Sequence, residues 1–165
     1  MATLLVSDTS VLIDLHRGAI LQYIFELPFD IGVPDVLFER ELKKWDGPPL
    51  EPLGLRVLTL DGDGVSLAQS YRAREVRLSL PDAFSLALAK MGGHILLAGD
   101  TSLRALAGEE EVECHGVLWV LDALEQHTIV DSLTLLSALT IIAEHPRCRL
   151  PKAEIRVRME KYRVR

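Results

Sequence analysis

The tripeptide Asp-Thr-Ser stands at residues 8–10 and again at 100–102, each time between a short apolar run and a helical one. Thr3-Leu4-Leu5-Val6 and His94-Ile95-Leu96-Leu97-Ala98 read as buried strands, while Val11, Leu12, Ile13 and Leu15, and then Leu103 to Ala107, read as the helices that follow. Strands that turn directly into helices require crossover connections, which means a parallel sheet with helices on its faces. Both aspartates then lie at the carboxyl edge of that sheet. Open α/β sheets bind ligands at this edge, where the chain order reverses, so Asp8 and Asp100 are candidates for one site. Each also has a plainer role, because an aspartate or the serine two places on accepts a backbone N–H and caps a helix.

The rest of the chain continues the alternation. Residues 30–33 form a second strand ended by Pro34-Asp35, and Leu37, Phe38, Leu42 and Trp45 then mark one helical face up to Gly47-Pro48-Pro49. A loop over 47–54 precedes a third strand within 55–60, and Gly62 and Gly64 open a helix carrying Val65, Ala68 and Tyr71. Pro81 opens a helix through Lys90 that Gly92-Gly93 stops, and Gly108 stops the helix after Asp100. A last strand is expected at Val112–Cys114, with helices over 117–125, 131–144 and 152–162.

Composition narrows the class. With 48% hydrophobic and 25% charged residues, a chain of 165 residues can bury a sizeable core. Cys114 and Cys148 are too few for a disulfide framework, lack the spacing of a zinc site and suit a reducing cytoplasm. No run reaches the ~18 to 20 apolar residues of a membrane span, and the start MATLLVSDTS lacks the features of a signal peptide. A cytoplasmic protein without membrane partners is expected. The net charge of −6 is uneven: residues 147–165 hold eight of the eighteen basic side chains against Glu154 and Glu160, which makes the tail +6 and the remainder −12. Such a tail either meets an anion or an acidic partner, or is a solvated helix.

Two further acids sit on helices. Asp82 stands in the first turn of an alanine-rich helix that can pack closely on the sheet. Glu41 lies beside the apolar line Phe38, Leu42 and Trp45. Residues two apart on a helix point about 200° apart, so only one of Glu39 and Glu41 enters a shared site, and Glu41 is favoured.

Four segments carry a resemblance. They are Ser7-Asp8-Thr9-Ser10-Val11-Leu12-Ile13-Asp14, Val33-Pro34-Asp35 through Glu41-Leu42, Asp82-Ala83-Phe84-Ser85-Leu86-Ala87-Leu88-Ala89, and Leu96-Leu97-Ala98-Gly99-Asp100. In that order and spacing the chain resembles the PIN-domain nucleases, and within them the toxin-like proteins of toxin–antitoxin pairs. The resemblance spans about residues 3–125, and His115-Gly116-Val117-Leu118 and Arg149-Leu150-Pro151 look like a subgroup with extra C-terminal helices. It implies an α/β, PIN-like three-layer sandwich whose central, mostly parallel sheet has helices on both faces. A single domain would then cover 1–165, with a core over about 3–125 and a helical extension over about 126–165.

The same resemblance implies that Asp8, Glu41, Asp82 and Asp100 are the catalytic, metal-holding acids, with Glu39 as the alternative to Glu41 and with Thr9 and Ser10 supporting Asp8. It further implies single-stranded RNA as substrate, an antitoxin as protein partner, and homodimerisation through helices, for which the apolar stretch Val130 to Ile142 offers a surface. Two departures stand out. The family often has a hydroxyl residue before the fourth acid, where this chain has Ala98, and the helix after Pro34 offers Glu39, Arg40 and Glu41 where the family has one glutamate.

Carboxylates gathered in one cleft raise one another's pKa values and repel unless a dication neutralises them. Oxygen ligands without cysteine or histidine select Mg²⁺ or Mn²⁺ over zinc, and the five histidines lack ligand spacing. The expected activity is Mg²⁺- or Mn²⁺-dependent hydrolysis of RNA phosphodiesters, which changing Asp8 or Asp100 to asparagine should abolish with little loss of fold, metal-free stability even rising. The alternative is a catalytically weak module of the same fold that binds RNA or an antitoxin. A dehalogenase-like phosphatase wants Asp-x-Asp after its first strand, and here position 10 is Ser; the lysine pairing of a receiver domain is likewise missing. RNA would be held by the basic tail, or otherwise by Lys43, Lys44 or Arg104.

Overall fold

The computed structural model describes residues 2–164. Strands β1 (Thr3–Ser7), β2 (Phe29–Pro34), β3 (Arg56–Leu58), β4 (Ile95–Leu97) and β5 (Cys114–His115) form one sheet in the order β3-β2-β1-β4-β5. Every pairing is parallel, with Leu5 opposite both Ile31 and Ile95, Val33 opposite Val57, and Leu97 opposite His115. The chain lays β2 and β3 to one side of β1 and then returns to place β4 and β5 on the other. Its order therefore reverses between β1 and β4, and the crevice beyond their carboxyl ends is the switch point of the fold.

Helices α1 (Thr9–Arg17), α3 (Gly62–Arg74), α4 (Leu80–Gly92), α5 (Thr101–Glu109), α6 (Val117–Gln126), α7 (Ser132–Glu144) and α8 (Lys152–Val164) cover both faces, with a single α turn, α2 (Asp35–Leu37), after β2. Side chains alternate along each strand, and this alternation divides the core in two. Leu5, Ile31, Val33 and Leu97 meet Leu12 and Leu15 of α1, Leu121 of α6, Leu139 of α7 and Tyr162 of α8. Leu4, Val6, Leu96 and Ala98 meet Tyr71 of α3, Ala83, Leu86 and Ala87 of α4, and Leu103 of α5. Each buried leucine or valine contributes roughly 1.5–3 kcal/mol, so the strands are anchored from both sides. The architecture is the expected α/β sandwich, with α7 and α8 sharing the first core. Among the described residues no helix is long and apolar enough to cross a membrane.

Several boundaries differ from expectation. The segment after Pro34 is not one α-helix to Trp45: after α2 the chain widens into a π turn, Phe38–Leu42, closed by the Lys43 N–H donating to the Phe38 carbonyl at 2.8 Å. Leu37 and Leu42 are both buried, and residues five apart share a face only when the turn is widened. Helix α5 runs through Gly108 to Glu109, and the left-handed residue that follows it is Glu111, at φ 57°. The Val112 N–H is used in closing that turn onto the Ala107 carbonyl, so β5 starts only at Cys114. Short 3₁₀ helices, Leu21–Glu26 and Glu51–Leu53, occupy stretches without a strong pattern.

The C-terminal helix is docked by charge as well as by Ile155 and Tyr162. Arg158 forms a two-pronged pair with Asp122 of α6, at 2.8 and 2.7 Å, and reaches Glu154 at 3.0 Å. Lys161 pairs with Glu125 of α6 at 2.6 Å.

Candidate active site

Asp8 follows β1 and caps α1. Its Oδ1 accepts the Val11 N–H at 2.9 Å, while its Oδ2 accepts the Ser10 hydroxyl and the Gly99 N–H, each at 2.9 Å. Its own N–H donates to the Leu97 carbonyl of β4 at 2.8 Å, so Asp8 joins the ends of the two strands that flank the switch point. Asp8 is only 2% exposed. Burial pushes its carboxyl above the ordinary carboxylate value and the Asp100 charge adds to this, against the three hydrogen bonds that favour the ionised form.

Asp100, after β4, caps α5 by accepting the Leu103 N–H at 2.9 Å on Oδ2. Capping is thus real at both Asp-Thr-Ser sites. It does not use up either carboxylate, because each oxygen carries more than one lone pair.

Asp82 reaches the same edge from a helix rather than a strand. Helix α4 leads into the amino end of β4 at the opposite edge, so its first turn stands at the carboxyl edge, where the Ser79 hydroxyl accepts the Asp82 N–H. The Asp82 carboxyl is pushed up to about 7, first by burial and then by the charges of Asp8, Asp100 and Glu41. Those three acids therefore stand within electrostatic reach of Asp82.

Glu41 arrives on the π turn. Its side chain is largely exposed, yet partial burial of the carboxyl raises its pKa, and the nearby Thr9 hydroxyl lowers it while standing outside hydrogen-bond geometry. Glu39 points away and pairs with Lys43 at 3.1 Å on the exposed side of the same turn. The widened turn keeps the two glutamates on opposite sides, and only Glu41 joins the group around Asp82.

The donor set is all oxygen, drawn from four segments, and Asp82 is raised first by burial and then by its like-charged neighbours. This chemistry fits a hard dication. As they stand, no three His, Cys, Asp or Glu side chains among the described residues lie close enough together to hold one ion between them. The expected hydroxyl is absent at Ala98, which is fully buried in the second core.

Other edge residues escaped the sequence reading. Ser79 completes a Ser-x-x-Asp helix-start pattern with Asp82 that was legible in advance. Gly99 gave no such signal: a Cβ there would stand 2.7 Å from the Ser10 Oγ, so its bare backbone is what lets Ser10 and Asp8 approach. Arg77, in the loop before α4, lies within electrostatic reach of Asp100.

The basic tail is split. Arg158 and Lys161 face α6 and are already paired, which removes them as free phosphate ligands. Arg147, Arg149, Lys152, Arg156 and Arg163 are exposed, and Arg165 lies outside the described residues.

The family model DUF3368, described as a PIN domain, matches residues 4–162. That span extends beyond residue 125, through α7 and nearly all of α8. A comparison with curated proteins finds no match.

Proposed function

Because the chain belongs to the PIN-domain family, whose members are generally nucleases, we propose that it is a Mg²⁺- or Mn²⁺-dependent endoribonuclease, the toxin of a toxin–antitoxin pair. The observation that supports this reading is that Asp8 and Asp100 stand at the carboxyl ends of β1 and β4, where the strand order reverses, with Asp82 and Glu41 within electrostatic reach. These four residues would hold the cation, which when bound neutralises phosphate oxygens and lowers the pKa of a water.

The chain's own groups prepare the cleft. Three hydrogen bonds fix the Asp8 carboxylate, two of them from Ser10 and Gly99 across the β1–β4 corner. Thr9 stands beside Glu41, and burial and the neighbouring acids push the Asp82 carboxyl up to about 7, so it gains and loses its proton around neutral pH. A buried, hydrogen-bonded acid cannot drift, so orientation at the reacting phosphate is set before substrate arrives.

The spacing of the acids favours a second reading, in which the same cleft binds RNA without turnover. One assay separates the two: the full chain is incubated with single-stranded RNA in Mg²⁺, in Mn²⁺ and in chelator. Cleavage that requires the cation and disappears in Asp100→Asn is the expected result, whereas binding without cleavage supports the weak module. Growth arrest on expression that Asp100→Asn relieves tests the toxin role. Exposed Lys152, Arg156 and Arg163 support an acidic antitoxin segment as partner, and exposed Leu133 and Ile141 on α7 support a second copy. Both free cysteines suit a cytoplasmic setting.

A further inference from the structure

Arg104 stands on α5 one turn beyond Asp100, whose carbonyl accepts its N–H at 3.0 Å. Its guanidinium Nη1 donates to the Ala98 carbonyl at 3.2 Å, just past the end of β4, where the Ala98 N–H in turn meets the His115 carbonyl of β5. The guanidinium therefore lies over the corner formed by the carboxyl ends of β4 and β5, one residue before the Gly99 N–H that reaches Asp8.

Gly116 makes room for it. A Cβ at Gly116 would stand 2.6 Å from the Arg104 Nη1. The backbone there, at φ −116° and ψ −164°, is extended and open to any residue, so conformation does not call for glycine. A Cβ there would instead push the end of the Arg104 side chain aside.

Arg104 is also left uncommitted. Arg17, Arg56, Arg74, Arg77 and Arg158 each pair with a carboxylate, whereas Arg104 has no carboxylate partner among the described residues, in a protein of net charge −6. A guanidinium carries five N–H donors in a planar fork matched to phosphate, and among the described residues it makes one hydrogen bond, to the Ala98 carbonyl. The geometry points to Arg104 as the residue that holds an RNA phosphodiester adjacent to the one at the acidic cleft, in a seat that Gly116 keeps open. This inference rests on the nuclease reading.

The test uses the full chain and a single-stranded RNA oligonucleotide, with binding measured in chelator across a salt series and cleavage measured separately in Mg²⁺. Arg104→Gln is expected to weaken binding about tenfold and to reduce the slope of log affinity against log salt by about 0.7, the value for one phosphate on a single strand. KM should rise while kcat stays within about twofold, as for a contact made equally before and during reaction. Arg104→Lys should restore the salt slope but not the full affinity. Gly116→Ala should weaken binding with no change in charge, and the double variant should be no worse than Arg104→Gln alone, because both remove one contact.

Unchanged affinity and salt slope in Arg104→Gln would overturn the proposal and leave Arg104 as a brace on Ala98. So would additive losses in the double variant. If Gly116→Ala fails to fold, the Gln and Lys variants decide alone. A wild-type chain that binds RNA but never cleaves it sinks the nuclease reading and leaves the phosphate seat testable by binding; one that cleaves as well as Arg104→Gln does, at equal KM, sinks the seat alone.

Discussion

The Gly99 N–H donates to the Asp8 Oδ2 at 2.9 Å across 91 residues of chain, tying the first acidic segment to the last. That single bond couples the two Asp-Thr-Ser corners. The two strands of the switch point carry acids held in mutual register, which is more than strand pairing alone would provide.

Gly99→Ala should therefore damage the site without touching an acid. The new Cβ would stand 2.7 Å from the Ser10 Oγ, so Ser10 must turn away and give up its bond to Asp8. Loss of one such bond to a buried carboxylate costs about 1–3 kcal/mol, seen as a lower melting temperature, and RNA cleavage should fall with it. Ser10→Ala should reproduce the stability loss if that bond is the cause; an unaltered Ser10→Ala melt would place the damage elsewhere.

Asp8→Asn and Asp100→Asn should both reduce Mg²⁺-dependent cleavage by at least about 100-fold, since each deletes a charge the cation needs. Their stabilities should differ, against the simple expectation that relieving charge repulsion helps both. An asparagine at position 8 turns its amide N–H₂ toward either the Val11 N–H or the Gly99 N–H, donor against donor. Asp8→Asn should lose about 1–3 kcal/mol, and Asp100→Asn, which can still cap α5 through its amide oxygen, should lose little. Chemical denaturation of the metal-free variants checks the contrast.

Asp82 sets a pH dependence whose sign follows from its environment. Its carboxyl titrates at about 7 in the folded protein, against an ordinary 3.8. Between about pH 4 and 7 the folded chain therefore keeps a proton that the unfolded chain has lost, so metal-free stability falls as pH rises through that window and levels off above it. Asp8 and Glu41, also raised, act in the same direction. With solvent screening at a half-buried position allowed for, the loss from Asp82 amounts to about 2 kcal/mol. Urea denaturation at pH 5 and pH 7.5 should show it, Asp82→Asn should flatten it, and Mg²⁺ should stabilise most at the higher pH. A stability that climbs over this range in chelator would contradict the crowding of acids around Asp82.

The readability of these features in the sequence follows from how local their causes are. Asp8 and Asp100 were legible because strand, acid and helix follow one another within a few residues, and Asp82 because proline and alanines announce its helix. The π turn was not, since Leu37, Phe38, Leu42 and Trp45 also suit an ordinary helix and only the burial of Leu37 and Leu42 together distinguishes the two. Gly99 and Gly116 face atoms of Ser10 and Arg104, which no spacing along the chain reveals. That part of the basic tail docks onto α6 is not legible locally, because Asp122, the partner of Arg158, lies 36 residues earlier.

That pairing changes what the tail can be asked to show. Arg158 is 16% exposed and grips Asp122 in a planar fork, whereas Arg156 and Arg163 are exposed and free of carboxylate partners among the described residues. Arg158→Ala should loosen α8 from α6, with a stability loss of about 1–2 kcal/mol because Asp122 remains partly in water, and it should expose the α8 backbone to faster hydrogen exchange. RNA affinity and its salt slope should stay the same. If the tail holds RNA, Arg156→Gln with Arg163→Gln should reduce that slope by about 1.4, two phosphates on a single strand, at unchanged melting temperature. A full salt slope in that double variant would assign phosphate binding to the body of the protein, where Arg104 stands at the carboxyl end of β4.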